Sequence, residues 1–189
     1  MAILAGLCEA IDGRPYMRGH GARVSELAEA IALRLGWRDG ELRRLRVGAR
    51  LHDLGKLAVA DEVWRKAGPL TDEEVAEIRR HPSAGMRMLA RLPAFHFAVP
   101  LALFHHEWWD GSGYPRGKAA DAIPLEARVL AVADAFDAMT TERPYRPALA
   151  TESALAEIDR CAGSQFDPRV ARIFIELWAG ERARVASRM

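Results

Sequence analysis

Thiols are scarce in this chain of 189 residues: Cys8 and Cys161 are its two cysteines. They lie far apart, without the paired spacing of a zinc knuckle, so neither a secreted disulfide framework nor a thiolate metal site is expected, and both read as cytosolic thiols. Also missing is an apolar run approaching the ~20 residues of a membrane span. The opening MAILAGLCEAIDGR begins apolar but lacks a basic flank and carries Glu9 and Asp12 early, so neither a signal peptide nor an anchor is indicated and a cytoplasmic location is expected. Charge of one sign is absent as well, with 27 basic against 26 acidic residues and a formal net charge of +1. A DNA or RNA binder neutralising several phosphates with a basic face is therefore not expected, and phosphate contact has to be local. Arg43, Arg44, Arg46 and Arg50 are interspersed along an amphipathic segment and read as a solvated helix face. Finally, no run of alternating β-branched residues is long enough for a strand.

What remains is half hydrophobic by composition, and the apolar positions recur at helical spacing, which predicts an all-α bundle folded as one domain over 1–189. Helices are expected at 2–12, 20–36, 39–54, 71–91, 95–108, 124–141, 151–162 and 168–179. Gly36 and Gly55 stand where helices should stop, Thr71 opens a Thr-Asp-Glu-Glu capping box, and Pro124 and Pro168 fall at first-turn positions. The stretch 109–123, WDGSGYPRGKAADAI, is rich in glycine and small polar residues and reads as a functional loop.

Five of the six histidines sit in chemically suggestive places: His20, the His52-Asp53 pair, His81 before Pro82, and His105-His106 followed by Glu107. His96 is the exception and reads as an ordinary satisfied residue. Asp134 is flanked on its helix by Val129, Leu130, Val132, Ala133 and Phe136, which draws its carboxylate toward the core, where an anion needs a partner. Alone it is as readily a buried hydrogen bond, neutralised by an arginine, as a ligand. Imidazoles and carboxylates converging from separate helices are how bundles hold paired divalent ions, and Asp53 is the candidate bridge. Adjacent helical residues point about 100° apart, so His52 and Asp53 can straddle two ions rather than chelate one. Lys56 lies four residues after His52 and, if Gly55 ends the helix, swings toward a substrate phosphate. Asp137, three residues after Asp134, is an acceptor for a ligand histidine or water, or equally for an N–H or arginine partner.

The order His20, H-D-L-G-K at 52–56, H-P-S-A-G at 81–85, H-H-E at 105–107 and Asp134 resembles the HD superfamily of phosphohydrolases, and H-H-E-W-W-D-G-S-G-Y-P narrows the resemblance to the HD-GYP family. K-A-G-P-L-T at 66–71, I-P-L-E-A-R at 123–128 and D-A-F-D-A-M-T-T-E-R-P-Y-R at 134–146 extend it to roughly residues 14–178. The resemblance implies a helical HD bundle with an irregular GYP loop. It implies two metal ions, iron or manganese with zinc compatible, one on His20, His52, Asp53 and Asp134 and the other on Asp53, His81 and His105. Some members bind a third ion through a glutamate one turn before the first histidine and the second residue of the His-His pair. This chain has Tyr16 at the former position, so two ions are expected, and His106 is left as a ligand to a loosely held third ion or as a donor orienting its neighbours.

By the same resemblance Lys56, Arg143 and Arg146 contact substrate phosphates and Tyr114 stacks a guanine, Asp53 and Lys56 being the catalytic pair. Read without the family, Arg143 and Arg146 are surface arginines and Tyr114 packs the loop. Gly111, Gly113 and Pro115 shape the loop, the glycines through positive φ, while Trp108 and Trp109 wedge it against the bundle. The implied activity is hydrolysis of cyclic di-GMP to pGpG and onward to GMP. The alternatives are another cyclic dinucleotide such as cyclic GMP-AMP, a simpler nucleotide, or a signalling adaptor acting through the GYP loop. Expected partners are the cyclic dinucleotide, a diguanylate cyclase (GGDEF) or sensor protein, and a second copy in a homodimer, with no nucleic acid and no membrane.

Overall fold

The structure is a computed structural model and describes residues 2–14, 17–66, 68–142 and 147–186. Ten α-helices run through them: α1 (Ala2–Asp12), α2 (His20–Arg34), α3 (Asp39–Leu51), α4 (Asp61–Arg65), α5 (Asp72–Ile78), α6 (His81–Leu89), α7 (Val99–Phe104), α8 (Leu125–Thr140), α9 (Thr151–Arg160) and α10 (Pro168–Ala186). Tight 3-10 turns at Leu54–Ala58, Pro93–Ala98 and Ala120–Ala122 join them. Among the described residues there is no strand, only an isolated bridge between Ala162 and Phe166, so the all-α expectation holds. No described helix is long and apolar enough to cross a membrane.

Several boundaries differ from those read in the sequence, each for a local reason. The span 71–91 is two helices, because the chain turns at Arg79-Arg80 before Pro82 starts α6. Helix α3 stops at Leu51, earlier than Gly55, and Asp53 takes φ −93° and ψ 10°, the bridge region in which turns redirect the chain. In 95–108, only Val99–Phe104 is α-helical, after a 3-10 turn begun by Pro93. The short α4 had no periodic signal. The capping box is as expected: Thr71 Oγ1 accepts from the Glu74 N–H and Glu74 Oε2 accepts from the Thr71 N–H at 2.7 Å. Gly36, at φ 85°, terminates α2 in the left-handed region. Arg43, Arg44, Arg46 and Arg50 are exposed on α3, and His96 hydrogen-bonds the Ala90 carbonyl.

Two apolar clusters hold the helices. The larger joins α2, α3, α8, α9 and α10 through Val24, Ile31, Leu45, Leu130, Ile158 and Phe174, with Phe136 edge-on to Phe174. The smaller gathers Ile11 of α1, Met17, Leu51, Leu54, Leu89 and Ala102. His20 lies between Met17 of one cluster and Val24 of the other, and His52 between Ala49 and Leu54. The polar site therefore forms where the chain crosses from one cluster to the other.

Closing that seam demands a close approach. The turn at Gly55 packs so tightly on α6 that a Cβ there would lie 1.9 Å from the His81 carbonyl oxygen and 2.4 Å from the Gly85 nitrogen. Both are backbone atoms, which cannot rotate away. Gly55→Ala is expected to cost at least about 3 kcal/mol, lowering Tm by roughly 10 °C. Gly40→Ala, in helix α3 with no atom within 4 Å of the new carbon, should raise stability by about 0.5 kcal/mol. Thermal unfolding of the two variants checks both signs.

Candidate metal centre

Five elements deliver the donors. His20 begins α2, His52 and Asp53 follow the end of α3, His81 begins α6, His105 and His106 follow α7, and Asp134 lies inside α8. Helix ends suit this task because a side chain there can leave the packed ladder while its own turn still holds the ring. His52 Nδ1 donates to the Ala49 carbonyl at 2.6 Å, His81 Nδ1 to that of Ile78 at 2.8 Å, and His105 Nδ1 to that of Leu101 at 3.0 Å. His20 Nδ1 donates instead to Asp137 Oδ2 at 2.7 Å. With the Nδ1 proton committed, the neutral rings of His81 and His105 turn Nε2 lone pairs inward, and the Nε2 atoms of His52 and His20 point the same way.

Asp53 receives them. Its Oδ2 lies 3.2 Å from His52 Nε2 and 3.5 Å from His20 Nε2, and its Oδ1 lies 3.3 Å from His81 Nε2 and 3.8 Å from His105 Nε2. One carboxylate thus faces two sets of imidazoles, one with each oxygen. Asp134 Oδ1 completes the first set, 3.2 Å from His20 Nε2. His106 joins the second, since donor atoms of His81, His105 and His106 lie within 4.8 Å of one another, as do those of His20, His52 and Asp134.

A bound cation fits this arrangement on the evidence of its own polar atoms. His52 Nε2 and Asp53 Oδ1 are buried without any hydrogen-bond partner, an expense that proteins seldom tolerate without a use. His81 Nε2 and His105 Nε2 face each other at 3.1 Å, and with both protons on Nδ1 neither nitrogen can donate. Nitrogen lone pairs and a carboxylate converging with nothing to share are what a divalent ion requires.

The charge state agrees. Burial pushes the imidazoles of His81 and His105 below their ordinary range, helped at His105 by its histidine neighbours, and brings His106 to about 3. They are neutral ligands in waiting. Burial also opposes charge on His20, but Asp134, Asp137 and Asp53 outweigh it and raise His20 to about 11. Burial works against charge on Asp53 and Asp134 too, yet the surrounding imidazoles, with Lys56 beside Asp53, hold both carboxyls far below the usual range.

The surroundings include residues that carry no firm role by motif. Asp137, buried on α8, is gripped by Arg23, whose Nε donates to Oδ1 at 2.5 Å and Nη2 to Oδ2 at 3.0 Å. Arg23 carried no motif, although it lies one turn from His20. Glu107, the third residue of H-H-E, is buried and accepts from the Arg116 N–H at 2.6 Å and the Lys118 N–H at 2.9 Å, pinning the loop from below. Lys56 donates to Asp53 Oδ2 at 2.6 Å and so sits on the bridging carboxylate. Tyr114 stacks on His106, centroids 4.8 Å apart, with the Arg79 guanidinium 5.2 Å from its ring centre. Arg79 was not singled out in the sequence.

Asp134 keeps its carboxylate against the buried His20 ring, with 18% of its side chain exposed. Two expectations about this region change. Gly113 is needed not for positive φ but for proximity, since a Cβ would lie 2.2 Å from the Trp108 nitrogen, whereas Gly111 does adopt φ 85°. Trp109 is the wedge, its backbone N–H bonded to the Gln165 carbonyl and Arg128 lying over its ring, while Trp108 is 38% exposed. Arg143, Arg146 and Tyr16 lie outside the described residues.

The sequence profile described as "HD domain" matches residues 8–170. The chain belongs to the HD domain family. Among curated relatives of this HD-domain chain, the cyclic di-GMP phosphodiesterase response regulator RpfG of Xanthomonas campestris pv. campestris is 44% identical over 149 residues, 78% of this chain and 39% of the relative. The cyclic di-GMP phosphodiesterase of Thermotoga maritima is 39% identical over 160 residues, 84% of this chain and 44% of that one. The 3′3′-cGAMP-specific phosphodiesterase 3 of Vibrio cholerae is 36% identical over 167 residues, 88% of this chain and 36% of its own length. These relatives identify the HD-GYP branch, and the chain spans less than half the length of each. Among solved folds, the cyclic GMP-AMP phosphodiesterase V-cGAP3 of V. cholerae superposes with a TM-score of 0.72 at 21% identity, covering 95% of this chain and 49% of that one. The HD domain of the phosphodiesterase PgpH from L. monocytogenes does so with a TM-score of 0.63 at 16% identity, covering 95% and 98%.

Loading the HD domain with a divalent metal near neutral pH should release the proton held on His20, whereas His81, His105 and His106 are already neutral and release none. Affinity should therefore rise with pH, and titration calorimetry in buffers of different ionisation enthalpy counts the proton. Asp137→Asn keeps the size of the side chain but loosens the His20 tautomer and the Arg23 clamp. It should weaken metal retention roughly 10- to 100-fold, measured by competition with a chelator.

Proposed function

We propose that this chain is a metal-dependent phosphodiesterase that opens cyclic di-GMP to linear pGpG and carries it onward to GMP. The observation that supports this most directly is the pair of donor clusters facing the two oxygens of Asp53. The names of the relatives from X. campestris and T. maritima support the choice of substrate. Two divalent ions in such a donor set acidify water near neutral pH and take up charge on phosphoryl oxygens. Nitrogen and oxygen donors without a thiolate suit iron or manganese and also admit zinc.

In this reading His20, His52, Asp53 and Asp134 hold one ion, and Asp53, His81 and His105 the other, with His106 an additional donor to the second set. Asp137 and Arg23 keep His20 turned toward the centre. Lys56 guards the charge of Asp53 and stands 17% exposed, within reach of a phosphate oxygen arriving above the bridge. Arg143 and Arg146 supply further cations for the phosphates, Arg because its guanidinium can bind an oxyanion bidentately. Tyr114 serves as an aromatic wall beside His106. Glu107 holds the loop that carries it. Free Cys8 and Cys161 accord with a reducing, cytoplasmic setting. Protein partners, a diguanylate cyclase (GGDEF) domain or a sensor, are assigned to the exposed loop rim at Ser112, Arg116 and Gly117, and a second copy of the chain is a further candidate.

Cyclic GMP-AMP is the second reading, favoured by the relative that is named as specific for it. Side-by-side turnover of the two dinucleotides by iron- or manganese-loaded protein decides between them, and a loaded protein inert toward both sinks the enzymatic reading. Asp53→Ala should remove turnover by roughly 10³-fold or more while the circular dichroism spectrum remains helical. If signalling output in cells survives that substitution, the chain acts as an adaptor instead.

A further inference from the structure

A cleft of about 200 Å³ opens beside the metal centre, with His105, His106, Asp134 and Trp108 among its lining. Trp108 stands apart from the other aromatic residues here. Trp109 is covered by Arg128, and Tyr114 has His106 and Arg79. Trp108 has no aromatic or cationic partner among the described residues and is 38% exposed. Single exposed apolar side chains are ordinary on a surface. One that shares a cleft with a set of metal donors is not in an ordinary place, since such pockets combine an apolar wall with a few convergent polar groups.

The backbone fixes this wall in position. The Trp108 carbonyl accepts the Gly111 N–H at 2.9 Å, and Gly113 packs against the Trp108 nitrogen with no room for a Cβ. The indole thus projects from a rigid base, which lowers the entropy cost of using it to bind. Across the same cleft α8 presents Ala131, Ala135 and Ala138, short side chains that leave space for a flat group. Gln165 also lines the cleft, and a glutamine amide can both donate and accept at a heterocycle edge.

We infer that Trp108 is a base-stacking residue, and that this cleft seats a purine of the substrate while the adjoining phosphate lies at the metal centre. The inference rests on the reading of the chain as a cyclic dinucleotide phosphodiesterase and adds an aromatic platform to it. Such a substrate carries two bases, and Trp108 seats one of them.

Two measurements on the full chain test it. In the first, GMP is titrated into the protein and its tryptophan fluorescence followed, for the natural sequence and for Trp108→Phe. Stacking on Trp108 predicts saturable quenching in the natural protein and loss of the Trp108 share in the variant. Quenching that is equal in the two, or absent from the natural protein, overturns the inference. In the second, Trp108→Ala should raise KM for cyclic di-GMP roughly tenfold or more, with kcat changed by less than about twofold and Trp108→Phe restoring most of the loss. An unchanged KM overturns the inference as well. A natural protein that shows the Trp108 quenching but hydrolyses no cyclic dinucleotide refutes the proposed activity and leaves the purine site standing.

Discussion

A carboxylate only 2% exposed, as Asp53 is, costs several kcal/mol to desolvate unless its charge is answered on the spot. Here the answer comes from Lys56 and the rings of His20 and His52, while His81 and His105 bring neutral rings to the same carboxylate, His105 from more than eighty residues beyond His20. The rest of the architecture can be understood as the means of bringing those groups to one carboxylate. Helix ends supply the rings, the crossing between two apolar clusters supplies the space, and a glycine at 55 lets the backbone come close enough to put Asp53 and His81 together.

The imidazoles are held by two different devices. His52, His81 and His105 are anchored to carbonyls of their own preceding turns, so their orientation is a by-product of helix formation. The His20 ring bonds across to another helix instead of to the turn before it. It is held by Asp137, which is held by Arg23, a chain of charge-assisted bonds that crosses from α2 to α8 and ties the first donor to the last. The same packing of α2 on α8 that forms the larger core also builds this relay.

The sequence made the fold class and the donors legible because both leave periodic or compositional marks. Apolar spacing predicts helices, and histidines beside aspartate or in pairs are rare enough to stand out. What escaped notice depended on tertiary placement. The break at Arg79-Arg80 interrupts a run that looks continuous in periodicity, because the turn there lets His81 face inward. Arg23 looks like any helical arginine until α8 places Asp137 beside it. Two adjacent tryptophans look interchangeable in sequence, yet the alternation of the backbone sends Trp109 under Arg128 and leaves Trp108 outward. Gly113 resembles a turn glycine, and only the approach of the Trp108 backbone reveals that it is a spacer.

The turn after α9 contributes no donor, yet the Ser164 and Gln165 carbonyls accept the N–H groups of Asp110 and Trp109 at 2.9 and 3.1 Å. The rim of the donor-lined hollow is therefore sewn to a surface bend more than fifty residues downstream. Insertions or exchanges in that bend can tilt the rim while every ligand stays where it is. Selection thus has a way to retune which guests are admitted without disturbing the chemistry beneath.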